Sequence, residues 1–92
     1  PQNPEEFLRK IIATMQKLYQ AGLVHGDLSS FNILNYNEEP YFIDFSQATL
    51  TKTPNSSELL ARDVKNIIQF FAKLKVKVDA DELIAKIKKE RE

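Results

Sequence analysis

The sequence predicts an α+β fold that is mainly helical and includes one small β-hairpin. Two long segments carry apolar residues at intervals of three and four, which is the spacing of a helix with one buried face. Between them lie two short apolar runs separated by turn-forming residues, as expected for a hairpin. At 92 residues the chain is expected to form a single domain, residues 1–92, with a modest core.

The first helix has a clear beginning and end. Asn3 is placed to cap it, Pro4 suits its first position, and Glu6 completes a capping-box-like pair. Gly22 marks its end. The apolar side chains of this helix share one stripe, which predicts burial against the rest of the domain. They are Phe7, Leu8, Ile11, Ile12, Met15, Leu18 and Tyr19.

Short extended segments follow the first helix. Residues 23–24 are expected to lead into a loop, and residues 33–35 and 41–43 to form the two strands of the hairpin. Residues 36–40 carry the turn-forming side chains and would connect the strands. Residues 45–57 are rich in Ser, Thr, Gln and Asn, and they predict an irregular crossing segment.

The register of the hairpin would bring two polar side chains together. If Tyr36 pairs with Pro40, the antiparallel ladder places Asn32 opposite Asp44. Their Cα atoms would then lie roughly 5 Å apart. We therefore expect an amide and a carboxylate to converge at the open end of the hairpin.

Three residues around the hairpin match a phosphoryl-transfer site. In the kinase template an Asp orients the attacking hydroxyl, a following Asn holds a metal ion, and an Asp at the end of the next strand holds metal on the nucleotide phosphates. Asp27, Asn32 and Asp44 fit these roles in order. Each alone would be an ordinary loop or turn residue. Their order between apolar strands instead favours a catalytic site of the protein-kinase type.

A second helix is expected to support this site. Asn55, with Glu58 three residues later, opens it. Asp63 lies on its apolar face, where a carboxylate needs several hydrogen bonds or a cation. We expect Asp63 to brace the backbone near His25 and Gly26, although it could instead lie solvated at the edge of the stripe. His25 itself is predicted to be a packed histidine bonded to backbone, with a supporting role. The apolar positions of this helix are Leu60, Val64, Ile67, Ile68, Phe71 and Leu74.

A last helix closes the chain. Asp79 or Asp81 is expected to cap it, and Leu83, Ile84 and Ile87 give its apolar face. Residues 86–92 mix basic and acidic side chains and predict a solvated helix terminus.

The run His-Gly-Asp-Leu-Ser-Ser-Phe-Asn-Ile-Leu at residues 25–34, with residues 43–47 and 60–66, closely resembles the RIO family of atypical serine kinases. The resemblance spans nearly the whole chain and is strongest to the C-terminal lobe of an archaeal member, so it implies the C-terminal lobe of a protein-kinase-like fold. It implies an ATP-dependent serine/threonine protein kinase that uses Mg²⁺ or Mn²⁺. It also implies a role in maturation of the small ribosomal subunit, with the subunit precursor as a partner.

The resemblance assigns roles to individual residues. Asp27 would be the catalytic Asp, and Asn32 a metal ligand. Asp44 would be the metal-binding Asp that in this family can itself accept phosphate. Ser29 fits the family's usual Ser after Asp-Leu and is given a supporting role. Asn32, Asp44 and the adjacent Ile43 are expected to contact the ATP cofactor.

The sequence lacks the parts that cover the nucleotide in a complete kinase. It has no glycine-rich loop and no lysine-bearing strand with a helix Glu partner, and it holds only two glycines. We therefore expect the N-terminal ATP-binding lobe to be absent and to act as a partner of this lobe. The fragment alone is expected to bind ATP weakly and to be inactive. Apolar surface that the other lobe would cover would favour self-association.

Two alternatives use the same residues. Small-molecule kinases of the aminoglycoside and choline type, and small kinases linked to tRNA modification, share the His-Gly-Asp motif with an Asn five residues on. The segments at residues 46–47 and 62–63 favour the RIO family over them. A kinase-derived lobe could also serve as a non-catalytic docking module.

Bulk composition limits the partners. Thirteen basic and thirteen acidic side chains cancel, so net charge offers no general attraction for DNA or an anionic membrane. The chain has no cysteine and no long apolar segment, which leads us to expect a cytoplasmic protein with no membrane partner.

Overall fold

Three helices enclose the core of the protein in the computed structural model, which describes residues 2–88. They are α1 (Pro4–Gln20), α2 (Ser56–Lys73) and α3 (Ala80–Lys88). Helix α3 packs against both of the others. Pro1 and the last four positions of the charged terminus, residues 89–92, lie outside the described residues.

Helix α1 begins and ends as its sequence predicts. The Asn3 side chain accepts a hydrogen bond from the Glu6 backbone N–H at 3.2 Å, and Pro4 opens the helix. Gly22 follows its end with a φ of +91°, a conformation that suits glycine. The predicted stripe faces inward, and its fully buried members are Phe7, Leu8, Ile11 and Met15.

The hairpin consists of β2 (Ile33–Tyr36) and β3 (Glu39–Phe42), which pair antiparallel. Asn37 and Glu38 form its two-residue turn, with φ values of 53° and 63°. Positive φ at both central residues is the geometry of a type I′ turn, whose twist matches that of the flanking strands. The connection is therefore shorter than the predicted residues 36–40.

The predicted pairing of Tyr36 with Pro40 is wrong, because the tight turn shifts every pair by one residue. Asn32 consequently lies opposite Ile43, whose N–H donates to the Asn32 carbonyl oxygen at 2.9 Å. Asp44 follows one residue beyond this last rung.

The crossing segment is more regular than predicted. Thr49–Leu50 forms a strand, β4, that pairs antiparallel with β1 (Leu23–Val24). A short 3₁₀ turn, Phe45–Gln47, precedes β4. Val24 is buried against the core, so this small ladder anchors the segment leading into the loop.

Helices α2 and α3 complete the core. Asn55 directly precedes α2 as expected, but its side chain makes no capping hydrogen bond. The Ser56 hydroxyl connects the start of the helix to the preceding segment by donating to the Thr51 carbonyl oxygen at 2.6 Å. Of the two predicted caps of α3, Asp79 is the one observed, and its carboxylate accepts from the Glu82 N–H at 2.9 Å. The buried apolar side chains of these helices are Leu60, Val64, Ile67, Phe71, Leu83 and Ile87. The predicted α+β class is thus confirmed.

Candidate active site

The loop between β1 and β2 is attached to the core at two points. Leu28 is fully buried. Gly26 adopts a φ of +88°, and a Cβ atom at this position would lie 2.4 Å from the Gln47 carbonyl oxygen. Only glycine fits such an approach without backbone movement. The loop is therefore held against the 3₁₀ turn that follows the hairpin.

Helix α2 binds the same loop through the carboxylate of Asp63. The two oxygens of Asp63, which is buried, accept from the backbone N–H groups of Gly26 at 2.9 Å and Leu28 at 3.0 Å. The predicted bracing by Asp63 is confirmed in this respect, and the solvated alternative is excluded. Burial raises the pKa of Asp63, while the two backbone N–H groups and nearby positive charge oppose this rise.

Two neighbours of Asp63 on α2 also bind the loop. Arg62 donates to the Gly26 carbonyl oxygen at 2.7 Å, and Asn66 donates to the Leu28 carbonyl oxygen at 2.9 Å. Neither residue was predicted from the sequence to bind the loop. Their positions could have indicated this role, because residues three and four places apart on a helix are neighbours, which places Asn66 beside both Asp63 and Arg62. One helical turn therefore satisfies both N–H and C=O groups of the loop.

His25 links the loop to the strand that leads to Asp44. The Asp27 backbone N–H donates to Nδ1 of His25 at 3.1 Å, so Nε2 carries the proton and donates to the Ile43 carbonyl oxygen at 2.8 Å. The ring is buried and lies 4.7 Å from the Phe45 ring, centroid to centroid. This bridge fixes the spacing between the backbones of Asp27 and Ile43.

Asn32 and Asp27 are joined directly. The Asn32 side-chain nitrogen donates to the Asp27 carbonyl oxygen at 2.7 Å. This bond uses the nitrogen end of the amide and directs its oxygen end elsewhere, where it could act as a ligand. Ser29 caps the 3₁₀ turn Ser30–Asn32 by accepting from the Phe31 N–H at 3.2 Å. The turn therefore fixes the position of Asn32.

Asp44 lies in an unusual backbone conformation. Its φ and ψ are 62° and 70°, in the left-handed region that non-glycine residues seldom occupy. The Ser46 hydroxyl donates to one of its carboxylate oxygens at 2.8 Å. Strained residues of this kind cluster at functional sites, where the surrounding structure holds them. In the sequence Ser46 counted only toward the family resemblance, and its bond to Asp44 was not predicted because the contact depends on this turn.

The donor set suits a cation that is shared with a nucleotide. Within residues 2–88, His, Cys, Asp and Glu side chains do not gather in groups of three that could enclose a metal ion. Asn32 and Asp44 together offer one amide oxygen and one carboxylate, both of them hard oxygen ligands. Mg²⁺ is usually held by one or two carboxylates, with substrate phosphates and water completing its coordination. The residues present therefore fit Mg²⁺ bound together with phosphate.

The outer face of the hairpin is apolar and exposed. Leu34, Tyr36 and Tyr41 are 49%, 65% and 52% exposed, and Ile43 beyond the last rung is 38% exposed. The opposite face, with Ile33 and Phe42, packs against the core. The structure places Ile43 beside the predicted site residues, at the edge of an uncovered surface.

Comparison with known proteins identifies relatives that match most of the chain. The family model described as RIO domain matches residues 1–83. The RIO-type serine/threonine-protein kinase Rio1 of Methanocaldococcus jannaschii is 49% identical over 73 residues, which is 78% of this chain and 25% of that protein. The Rio1 kinase of Haloferax volcanii is 38% identical over 82 residues, which is 89% of this chain and 28% of that protein. The chain thus spans about a quarter of the length of these relatives.

A solved structure supports the fold. The crystal structure of the Rio2 kinase–ADP/Mg²⁺–phosphoaspartate complex from Chaetomium thermophilum aligns with a TM-score of 0.68 at 25% identity, and the alignment covers 94% of this chain and 30% of that one. In the part of the chain that the structure describes, no helix is long and apolar enough to cross a membrane.

Proposed function

The chain belongs to the RIO family of serine/threonine kinases, and from this premise we propose that it is the catalytic and metal-binding C-terminal lobe of an ATP-dependent kinase or ATPase. The observation that carries the proposal is the chain of bonds around Asn32. The Asn32 side-chain amide nitrogen donates to the Asp27 carbonyl oxygen. The Asn32 backbone carbonyl oxygen accepts from the N–H of Ile43, the residue before Asp44. Three residues expected to act together are thereby linked through one backbone network.

Each residue has a defined task in this proposal. The exposed Asp27 carboxylate orients the attacking hydroxyl and accepts its proton. Asn32 and Asp44 would hold Mg²⁺, which when bound neutralises charge on the phosphates of ATP. His25, Ser29 and Asp63 act only through backbone, because each is bonded to main-chain groups.

Asp44 has a second proposed task. The related Rio2 structure contains a phosphoaspartate together with ADP and Mg²⁺. We assign the corresponding role in this chain to Asp44, whose carboxylate is exposed. One oxygen is bonded to Ser46, which leaves the other to bond to the γ-phosphorus of ATP while the bond between that phosphorus and the ADP leaving group breaks.

The exposed hairpin face suggests how the nucleotide and the rest of the kinase bind. Ile43 would contact ATP, and Leu34, Tyr36 and Tyr41 would be covered by an N-terminal lobe or, without it, by another copy of the chain. Catalysis requires positioning from both lobes, so the 92-residue chain alone should bind ATP weakly and transfer no phosphate. Action on a small ribosomal subunit precursor, in the cytoplasm, is the setting proposed for the complete protein.

A calorimetric titration tests the proposal. The 92-residue chain is titrated with ATP and Mg²⁺, alone and after addition of a separately produced N-terminal lobe of a RIO kinase. We expect clear binding only with both lobes, loss of binding in Asp44→Ala, and no change in the control Asp81→Ala, which alters an exposed acid on α3. Equal binding by Asp44→Ala would contradict the assignment and would favour a docking module.

A further inference from the structure

A cleft of about 170 Å³ opens beside the catalytic loop, on the side of α2. One wall consists of the loop residues that directly follow the Asp27–Leu28 pair. The other wall is one side of α2, from Asn66, which binds the loop, to Lys73 at the end of the helix. The lining residues are Ser29, Ser30, Phe31, Asn66, Gln69, Phe70 and Lys73. The cleft thus lies directly beside the loop that carries the proposed catalytic Asp27.

The 3₁₀ turn Ser30–Asn32 holds the Phe31 side chain outward. Phe31 is 87% exposed, the highest value among the exposed large hydrophobic side chains. Its N–H donates to the Ser29 hydroxyl oxygen, and the Asn32 N–H donates to the Ser29 carbonyl oxygen at 3.0 Å. Because the same turn directs Asn32 to Asp27, Phe31 cannot fold inward without displacing a site residue. An aromatic ring in water lacks the favourable burial of its apolar surface, which a bound partner would supply.

The chemistry of the walls indicates the kind of partner. Two aromatic rings, two hydroxyl groups and two amide side chains suit the side chains and backbone of a peptide. Lys73 supplies the cation of the cleft, and none of its lining residues is acidic. Within residues 2–88 the ion pairs involve Arg9 and Lys10, so no carboxylate neutralises Lys73 there. The cleft is therefore complementary to a negatively charged group.

We infer that this cleft binds the acceptor protein as an extended segment, with an apolar side chain against Phe31 and an acidic side chain at Lys73. The inference rests on the proposed kinase function and names its substrate class. Asn66 lies at the loop, and Lys73 follows seven residues later on α2, a distance of about 10 Å along the helix. An extended peptide covers this distance in about three residues. The acceptor should therefore carry an acidic residue about three positions from its serine or threonine.

The test uses peptide binding to the isotopically labelled chain, observed by NMR without ATP. Two peptides place Asp about three positions before or after a Ser, with Leu between them, and matched peptides carry Lys in place of Asp. We expect millimolar concentrations of one Asp peptide to shift the signals of Ser30, Phe31, Gln69 and Lys73. Phe31→Ala and Lys73→Glu should each weaken this binding about tenfold, and Lys73→Glu should gain affinity for the Lys peptide.

Matched controls separate a specific cleft from general stickiness. Leu50→Ala removes another exposed apolar side chain, and Lys77→Glu reverses another exposed charge. Both variants should bind like the unmodified chain. The inference is overturned if neither Asp peptide shifts the cleft signals, if Lys73→Glu binds both charge variants equally, or if only single-stranded RNA binds there. Because no nucleotide is present, these outcomes are independent of the ATP titration.

Discussion

The loop between β1 and β2 and the outer face of the hairpin adjoin each other but are held in opposite ways. Arg62, Asp63 and Asn66 of α2 form hydrogen bonds with the loop, so side chains of the same chain fix its conformation. The hairpin face presents Leu34 and Tyr41 to solvent with nothing packed over them in residues 2–88. In the proposed function, the reacting groups are therefore positioned by this chain itself, while the hairpin face would be covered by a partner.

The largest expected effect comes from the loop. Gly26→Ala should lower the free energy of unfolding by about 3 kcal/mol or more, because the added Cβ would meet the Gln47 carbonyl oxygen at 2.4 Å in addition to the strain of a positive φ. Gly22→Ala is the matched control. Its φ is +91°, yet nothing lies within 4 Å of the added Cβ, so strain alone should cost about 1–2 kcal/mol. Urea unfolding of both variants measures the difference, and equal losses would show that the loop does not depend on close packing.

Asp63→Asn should have the next largest effect. An amide retains one acceptor oxygen but turns its NH₂ toward a backbone N–H, which leaves that donor unsatisfied and should cost about 1–3 kcal/mol. Asp81→Asn, at an exposed position, should change stability by less than about 0.5 kcal/mol. Amide hydrogen exchange at Gly26 and Leu28 should accelerate in the first variant only. Unchanged exchange there would show that Asp63 does not hold the loop.

Substitution on the hairpin face should affect association more than folding. Leu34→Thr is expected to change the free energy of unfolding by less than about 0.5 kcal/mol, whereas Ile33→Thr on the opposite, packed face should cost about 1–3 kcal/mol. Sedimentation at increasing concentration should show weaker self-association for Leu34→Thr. If both variants associate like the unmodified chain, the outer face is not the contact surface.

The smallest effect is a dependence on pH. Burial raises the pKa of Asp63 above its ordinary value of 3.8, so the folded state binds this proton more tightly than the unfolded state. The Asp63 contribution to stability is therefore complete below pH 3.8 and declines as pH rises through the raised pKa. The stability difference between the unmodified chain and Asp63→Asn should shrink over this range. A difference that grows with pH would mean that the two N–H bonds lower the pKa of Asp63 by more than burial raises it.

Much of the fold could be predicted because its signals are local. Asn3, Pro4 and Gly22 mark the ends of α1, and apolar spacing defines the buried faces of α1 and α2. The hydrogen bonds of Asp63 could also be anticipated, since a carboxylate on a buried face needs donors. These inferences depend on chemistry that acts within a few residues or on a general cost of burial.

The sequence-based predictions of the hairpin register, the β1–β4 pairing and the Ser46 contact were wrong or missing, because each depends on a single turn or on residues far apart in the chain. The turn at residues 37–38 lacks the glycine that usually marks a type I′ turn, so its length was overestimated and the register was shifted by one. Strands β1 and β4 have two residues each, too few for a periodic pattern. The contact of Ser46 with Asp44 depends on a left-handed residue that no local sequence preference indicates.

The most direct test of the central claim is paramagnetic NMR with Mn²⁺ and ATP, in which Mn²⁺ replaces Mg²⁺. Signals broaden near the bound ion, so even weak binding by the isolated chain is visible. We expect selective broadening of the amide signals of Asn32, Ile43, Asp44 and Phe45, its loss in Asp44→Ala, and its persistence in Asp81→Ala. Broadening at other residues, or the same pattern in Asp44→Ala, would contradict a metal–nucleotide site at the end of the hairpin.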